Sequence, residues 1–449
     1  MKKNNRRIHS RSKQNSSNDD LKRFLPFFCL FILVIIVATL LWPKPDSQST
    51  TYQSVTPTKP ATPTEATIFL DNSASMEGYA HGNEYIDALA DLMSIYPNTK
   101  VRFTNNTSEI ESANELTNQL TRNQIHYKGQ SLLNEDLGKI INQIVDKKRK
   151  IRKKIAFFVT DGILSGSDAD IKRSKALGHK YNIDHKQDLM NNISEVFRGK
   201  GISAALFRMR SHFLGEYFCF DNSHKKISTI RSYYIIALGS PSVVADFKHK
   251  LSERQRQSIF KLRQTNEIDF IEPQAINHNL SITAGDVNRG AVTLPIENGY
   301  VTIDLQKISK SAQNGNPVYN FMIGEEAFIN YSLSLTELAS NLVVSIDGVQ
   351  QKIKAFEDKT RKSIVFQIEA NYLSLPNDGN EVRVYIPYFT PTWIDSPMVS
   401  NEDDTYMINS KPDESTFLFR YLINGIKNNG ILATNNAQIY DKTVTFKRK

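Results

Sequence analysis

Cysteine is scarce in this chain of 449 residues, which contains only Cys29 and Cys219. Cys29 lies in an uncharged stretch near the N-terminus, so Cys219 is the only thiol in the rest of the chain. This count excludes an intramolecular disulfide beyond that stretch, and with it the small disulfide-stapled class of secreted proteins. The length is instead sufficient for two or three domains, each held together by its own hydrophobic core.

Concentrated positive charge is missing from most of the chain, although the formal net charge is +9. Eight Lys or Arg and two Asp between residues 2 and 23 contribute +6, which leaves +3 for everything after them. Proteins that bind DNA or RNA gather Lys and Arg on one surface of a folded domain. We therefore expect no nucleic-acid partner.

Common catalytic motifs are missing as well. The chain contains no G-x-S-x-G, no H-E-x-x-H and no Walker loop, and its nine His residues lack metal-ligand spacing. An aspartyl-phosphate phosphatase would carry an acid two residues after its nucleophile, and Ser73 stands at that distance from Asp71. We predict that the protein is not an enzyme. A metal-dependent hydrolase is the weaker alternative.

Residues 24–42, "FLPFFCLFILVIIVATLLW", contain no charged side chain. A helix of this length reaches about 28 Å, which is enough to cross the hydrocarbon core of a bilayer. A cleaved signal peptide or a buried core helix are the alternatives, but residues 40–43, "LLWP", stand where a signal peptide has small residues. We predict a basic cytoplasmic tail at 1–23 and a single transmembrane helix at 24–42. The bulk of the chain is then periplasmic or extracellular.

Residues 43–65 are rich in Pro, Ser and Thr, which predicts an extended linker. After it, apolar runs typical of buried strands alternate with segments of helical periodicity as far as residue 258. The predicted strands include 66–70, 100–104, 202–210 and 233–239, and the predicted helices are 84–95, 132–145, 185–197 and 242–253. Alternation of strands and helices predicts βαβ units. We therefore expect an α/β domain over 66–258, with a mostly parallel sheet and helices on both faces.

The stretch "IFLDNSASMEG" (68–78) places Asp71, Ser73 and Ser75 directly after the first predicted strand. Asp161 follows the later apolar strand "IAFFVT", and Ser131 precedes a predicted helix. Ligand sites of such sheets lie at the carboxyl ends of the strands, so these oxygen donors are expected to converge. An all-oxygen set with few carboxylates suits Mg²⁺, or Mn²⁺ or Ca²⁺ in its place.

The same residue types also have a purely structural role. Asp and Ser after a strand are common turn and N-cap residues, which accept hydrogen bonds from the first N–H groups of a helix. Both interpretations of the stretch remain open on the sequence.

The motifs D-x-S-x-S-M-x-G and T-D-G together resemble the von Willebrand factor A domain over about residues 66–255. The resemblance implies a Rossmann-like α/β fold with a metal-ion-dependent adhesion site. Carried over by position, its ligands are Asp71, Ser73, Ser75 and Asp161. The family also uses a Thr from a G-G-T loop, and Ser131 in "GQS" is the candidate here. The resemblance further implies that an Asp or Glu of a protein partner completes the coordination of the ion.

Residues 259–449 show a different pattern, in which short segments alternate apolar and polar residues between turn signals. The segments include "EAFINYSLSL" (326–335) and a pair of strands joined at Asp347-Gly348. This pattern predicts an antiparallel β-sandwich-like domain. One amphipathic helix is expected at 413–430, with Asp413 as its N-cap.

The sequence therefore predicts a membrane-anchored protein that binds a protein partner through a divalent metal site outside the cytoplasm. The alternative is a structural component of a cell-envelope assembly, in which the domain is a scaffold without a functional metal.

Overall fold

The structure is a computed structural model. It describes residues 62–63, 65–104, 109–122, 124–127, 132–145, 153–163, 172, 176, 183–219, 223–256, 266–270, 280–284, 292–303, 318–328, 333–369, 373, 379–403, 407, 412–427 and 438–448. The chain divides into two compact units, Met1–Ser54 and Val55–Lys449, and every described residue lies in the second. The predicted tail, transmembrane helix and most of the linker lie outside the described residues. Within the ranges given above, no helix is long and apolar enough to span a membrane.

The first half of the second unit is a mixed α/β region. Its elements are β1 (Glu65–Leu70), a 3-10 helix (Ala74–His81), α1 (Asn83–Ile95), β2 (Lys100–Phe103), β3 (Glu109–Ile110), α2 (Ala113–Thr121), α3 (Leu133–Ile144), β4 (Lys154–Thr160), α4 (Ile183–Phe197), β5 (Ser203–Phe218), β6 (His224–Gly239), α5 (Pro241–Arg256) and β7 (Asn266–Phe270). The predicted alternation of strands and helices is confirmed over this region.

The seven strands form one sheet in the order β3-β2-β1-β4-β6-β5-β7. β1 runs parallel to β2 and to β4, whereas the other four pairings are antiparallel. The prediction of a mostly parallel sheet is therefore wrong. The reason is that β5 and β6 pair along all sixteen of their residues, which inserts β6 between β4 and β5.

Helices cover both faces of this sheet, as predicted. Alternate residues of β1 point to opposite sides, as the pleat of a strand requires. Ile68 lies in a core cluster with residues of α1, α2 and α5. Phe69 lies in a second cluster with residues of α3 and α4. Burial of both faces explains why β1 is an unbroken apolar run.

Mostly antiparallel strands follow in the second half of the unit. They are β8 (Leu280–Ala284), β9 (Val292–Leu294), β10 (Ile296–Glu297), β11 (Tyr300–Ile303), β12 (Val318–Gly324), β13 (Val343–Ile346), β14 (Val349–Gln351), β15 (Ala355–Asp358), β16 (Ser363–Glu369), β17 (Asn380–Pro387), β18 (Ser400–Asn401), β19 (Thr416–Phe417) and β20 (Gln438–Arg448). Two sheets have the orders β10-β11-β20-β17-β13-β14 and β15-β16-β12-β8-β9. Their inward residues, such as Phe321 and Val384, belong to one hydrophobic cluster.

The predicted turn at Asp347-Gly348 is confirmed. Both residues have positive φ, 50° and 80°, and they join β13 to β14. The segment "EAFINYSLSL", in contrast, is not a strand over its described residues. It contributes a 3-10 helix, Glu325–Phe328, and the start of α6 (Leu335–Ser340). Ser334 and Glu337 form a capping box at α6, an N-terminal signal that the prediction overlooked.

The predicted C-terminal helix is real but short, since α7 spans Phe419–Ile426. Asp413 does not cap it. Instead, Asp413 Oδ1 accepts hydrogen bonds from Ser415, and Leu418 is the N-cap of the helix, with φ of 56°. The helix packs on the first sheet, where Phe419 stacks on Tyr234 of β6 at 4.2 Å between ring centroids. Residues beyond 259 therefore complete the core that covers one face of the α/β sheet.

Candidate metal site

Asp71 and Asp161 lie next to each other because their strands do. β1 and β4 are parallel neighbours, with Leu70 opposite Val159. The backbone N–H of Asp71 continues this ladder by donating to the Val159 carbonyl at 2.9 Å. Both carboxylates therefore emerge at the same edge of the sheet, one residue past the end of each strand. Both are buried, with 2% and 6% of their surface exposed.

The carboxylate of Asp71 is held by two donors. Its Oδ1 accepts the backbone N–H of Ser73 at 2.9 Å, and its Oδ2 accepts the Thr160 hydroxyl at 2.9 Å. Thr160 is the last residue of β4, so the two strands lock the orientation of this side chain. The sequence interpretation did not assign Thr160 a role, although it precedes Asp161 directly in the T-D-G motif.

The carboxylate of Asp161 is only half satisfied. Its Oδ1 accepts the backbone N–H of Ile163 at 3.1 Å. Its Oδ2 is buried, and no donor reaches it with hydrogen-bond geometry, although the Ser75 hydroxyl lies near enough to lower the pKa of the carboxyl. A buried carboxylate oxygen without a donor lowers the stability of the folded protein. Such an atom is usually satisfied by a proton, a water molecule or an ion.

Gly162 allows the chain to turn away behind Asp161. Its φ is +72°, and an added Cβ would stand 2.6 Å from the ring of Tyr234. Only glycine meets both requirements without strain. The third residue of the T-D-G motif thus serves the backbone rather than a ligand.

The hydroxyls of Ser73 and Ser75 face each other, with 3.1 Å between the two Oγ atoms. Ser73 is the N-cap of the 3-10 helix by position, but its side chain caps no N–H of that helix. The turn-and-cap interpretation therefore accounts for Asp71, whose Oδ1 closes a turn onto Ser73. It does not account for the serine hydroxyls.

The electrostatics of the pair follow from burial and from like charge. Burial raises the pKa of Asp71, the neighbouring Asp161 raises it further, and the sum brings it to about 7. Burial also raises the pKa of Asp161, although Ser75, Ile163 and Arg231 act in the opposite direction. Two such carboxylates favour any positive species that can lie between them.

Residues 124–127 approach the same edge of the sheet. Asn72 Nδ2 donates to the carbonyl of His126 at 3.3 Å. Burial raises the pKa of the Tyr127 phenol, and the charges of Glu77 and Asp71 raise it further, so Tyr127 lies close to both. Ser131, the fifth predicted ligand, lies outside the described residues. Its assignment remains a prediction.

Arg231 is a neighbour of the site that the sequence interpretation missed. It is fully buried on β6, with its guanidinium carbon 4.3 Å from the centre of the Tyr217 ring. It donates to the backbone carbonyls of Asp413 and Ser415 at 2.9 and 3.1 Å. The sequence feature that could have indicated a role for Arg231 is its position in "TIRSYYIIAL", a segment otherwise typical of a buried strand, where a charged residue is rare.

The donor chemistry fits a hard divalent cation. Asp71, Asp161, Ser73 and Ser75 offer only oxygen, and one carboxylate oxygen has no partner. Over the described ranges, no cluster of three or more His, Cys, Asp or Glu side chains exists that could hold a metal ion. A site here would therefore combine two carboxylates with hydroxyls and water, which is the preference of Mg²⁺ rather than of zinc or copper.

Comparisons of the chain with protein-family models, with curated proteins and with solved structures found no match.

Proposed function

We propose that this chain is a membrane-anchored protein whose A-type α/β domain binds a protein partner through a divalent cation. Asp71, Ser73, Ser75 and Asp161 would hold Mg²⁺, with Ser131 as a fifth donor. Mn²⁺ or Ca²⁺ could replace it. The transmembrane helix at 24–42 would fix the domain outside the cytoplasm, next to a β-sandwich formed by the C-terminal strands.

One observation carries this proposal: Asp161 Oδ2 is buried without a hydrogen bond beside a second buried carboxylate. A metal ion would satisfy that oxygen and remove the repulsion that raises the pKa of Asp71. With only two carboxylates the ion would keep net positive charge. An Asp or Glu of a partner is the ligand that such an ion would attract.

A scaffold without a functional metal is the second candidate, and Arg231 favours it. This buried cation lowers the pKa of Asp161 and therefore supplies part of the missing positive charge from within the chain. In that case the carboxylates and Arg231 would form a structural network. An enzyme is the weakest case, because the described residues around the carboxylates offer no further side chain that can be named as a general base.

Metal binding is tested on the full-length chain in detergent. Mn²⁺ binding is followed by electron paramagnetic resonance, and Mg²⁺ competes for the same site. We expect one Mn²⁺ per chain, displaced by Mg²⁺, and at least about tenfold weaker binding after Asp71→Asn. Asp188→Asn on the exposed side of α4 is the matched control. Unchanged affinity in Asp71→Asn would leave the scaffold as the better proposal.

Partner binding is tested by cross-linking in the membranes of the source cells. If the metal is the contact, Asp71→Ala and chelation each abolish the cross-linked product, and Asp188→Ala does not. A product that survives both treatments contradicts the adhesion role even if the ion itself binds.

A further inference from the structure

The outward face of the five-stranded sheet carries two different rows of side chains. Thr283, Asn320 and Gln367 are cross-strand neighbours on β8, β12 and β16. Two residues further along the strands, Met322, Val365 and Phe356 are neighbours on β12, β16 and β15. Successive strands are about 4.8 Å apart, so each row is a straight line across the sheet. A polar row therefore runs beside an apolar row.

These six residues line an open cavity of about 440 Å³. Phe356 is 51% exposed, which is unusual for a phenylalanine, and it stands at one end of the apolar row. The volume lies within the range of sites that bind small ligands. The floor of the cavity is rigid, since Phe321 and Phe366 stack beneath it with ring centroids 4.8 Å apart.

The polar row can form hydrogen bonds through neutral groups. Gln367 Nε2 donates to Asn320 Oδ1 at 2.8 Å, which fixes the orientation of both amides. The Gln367 carbonyl oxygen is left as an acceptor, and the Thr283 hydroxyl can both donate and accept. A ligand at this row would meet donors and acceptors without any formal charge.

The charges at the rim of the cavity cancel. Among the described residues that line it, Asp358 and Arg361 are the two that carry charge, and they form an ion pair at 3.8 Å. Asp358 Oδ1 also accepts the backbone N–H groups of Thr360 and Arg361. The lining therefore offers no net charge with which to bind a phosphate, a nucleic acid or a cationic peptide.

We propose that this face binds a neutral carbohydrate chain. Sugar rings present apolar C–H faces and hydroxyl edges, which correspond to the apolar row with its exposed Phe356 and to the polar row beside it. An acyl chain would meet few apolar side chains and would shield the Gln367 carbonyl oxygen and the Thr283 hydroxyl from water without offering them a hydrogen bond. A peptide strand would pair at a sheet edge such as that of β15 rather than across the two rows, because the backbone groups of β12 and β16 are already paired within the sheet.

The test uses the full-length chain in a detergent that has no sugar headgroup. Three hexasaccharides serve as probes: β-1,4-linked glucose, α-1,4-linked glucose and β-1,4-linked N-acetylglucosamine. Saturation-transfer NMR and calorimetry measure binding. We expect saturable binding of at least one, weakened about tenfold by Phe356→Ala, because the stacked ring is the main apolar contact. Gln367→Ala should weaken it as well.

Val349→Ala is the matched control, because Val349 is 63% exposed but lies on β14 of the other sheet. The proposal is overturned if none of the three sugars binds saturably, or if both variants at the face bind as tightly as the parent. It is also overturned if Phe356→Ala abolishes self-association or capture of phosphatidylglycerol vesicles instead. The site does not depend on the metal, so chelation and Asp71→Asn should leave sugar binding unchanged.

Discussion

The buried carboxylate pair makes a quantitative prediction about stability in the absence of metal. Burial and the neighbouring Asp161 raise the pKa of Asp71 from its ordinary value of 3.8 to about 7. A carboxyl group whose folded pKa is raised contributes stability that is complete below pH 3.8. That contribution is lost as the pH rises toward 7. The full loss for Asp71 is about 4 kcal/mol, of which about 3 kcal/mol falls between pH 5 and pH 8.

Asp71→Asn removes this loss while keeping the size of the side chain. The amide oxygen can still accept the Ser73 N–H, but the amide nitrogen must replace the oxygen that accepts from Thr160. That exchange costs about 1 kcal/mol. We therefore expect the variant, in a chelator at pH 8, to be more stable than the parent by about 2–3 kcal/mol. An increase in stability is unusual here, because most substitutions of buried polar residues destabilise a protein.

Thermal and urea unfolding at pH 5 and pH 8 measure the effect, with Asp188→Asn as control. The melting temperature of the parent should fall relative to Asp71→Asn by roughly 3–4 °C between the two pH values, because a unit that spans Val55–Lys449 unfolds with an entropy of about 0.8 kcal/mol/K. Excess Mg²⁺ should raise the stability of the parent by at least about 1.4 kcal/mol more than that of the variant, which corresponds to tenfold weaker binding. If the parent and the variant keep the same difference at both pH values, Asp71 is not a buried carboxylate beside Asp161, and the site as described is wrong.

Substitutions at Arg231, Gly78, Gly348 and Gly379 test the packing around the site and the C-terminal strands. Arg231→Met should lower the free energy of unfolding by about 3 kcal/mol or more, because it leaves two backbone carbonyls of the C-terminal segment without their donor. Urea unfolding measures this loss, and Arg231→Lys should restore only part of the lost stability. Gly78→Ala should lower the free energy of unfolding by about 1–3 kcal/mol, since its Cβ would stand 2.4 Å from the Phe213 ring. In a double-mutant cycle with Phe213→Leu, the smaller side chain should relieve part of that loss. Gly348 has φ of +80° and open space around it, so Gly348→Ala should lower the free energy of unfolding by about 1 kcal/mol. Gly379→Ala should lower it further, because a carbonyl oxygen lies 2.5 Å from the position of the added Cβ. Equal melting temperatures of the two variants would contradict this reasoning.

Much of the α/β region could be predicted from the sequence because its signals are local. Apolar runs bounded by polar residues gave strands such as β1 and β4, and helical periodicity gave α1 and α3 close to their observed bounds. The closeness of Asp71 and Asp161 was expected from the general rule that sites in such sheets lie at the carboxyl ends of strands, and it depends on the pairing of β1 with the distant β4. Two parallel neighbouring strands bring the residues that follow them to one edge.

The strand order could not be predicted, because it depends on a pairing between distant residues. The sequence indicated only the apolar parts of β5 and β6, near 202–210 and 233–239. Their continuations, "SHFLGEYF" and "HKKISTIR", alternate apolar and polar residues and are half exposed. A βαβ pattern favours parallel neighbours, so the antiparallel insertion of β6 was missed. The role of Arg231 was missed with it.

The position of α7 shows a second limit. Its apolar face predicts that it packs on something, but the amphipathic pattern contains no information about which surface. The structure places it against β6 and α4, where Gly425 approaches the side chain of Ile193 closely. A domain boundary read from the change of pattern at 258 therefore separates residues that share one core.

Arg231 does not donate a hydrogen bond to the buried Oδ2 of Asp161. Its guanidinium already donates to two backbone carbonyls and stacks on Tyr217, and Asp161 Oδ2 still forms no hydrogen bond. With both carboxylates ionised, one buried arginine leaves one negative charge uncompensated, which agrees with a pKa of about 7 for Asp71. On the proposed function, a proton and a metal ion would compete for this site near neutral pH. Because the two compete for the same carboxylate, Mg²⁺ affinity should decrease by up to about tenfold per pH unit below 7, whereas a purely structural network would bind no ion at any pH.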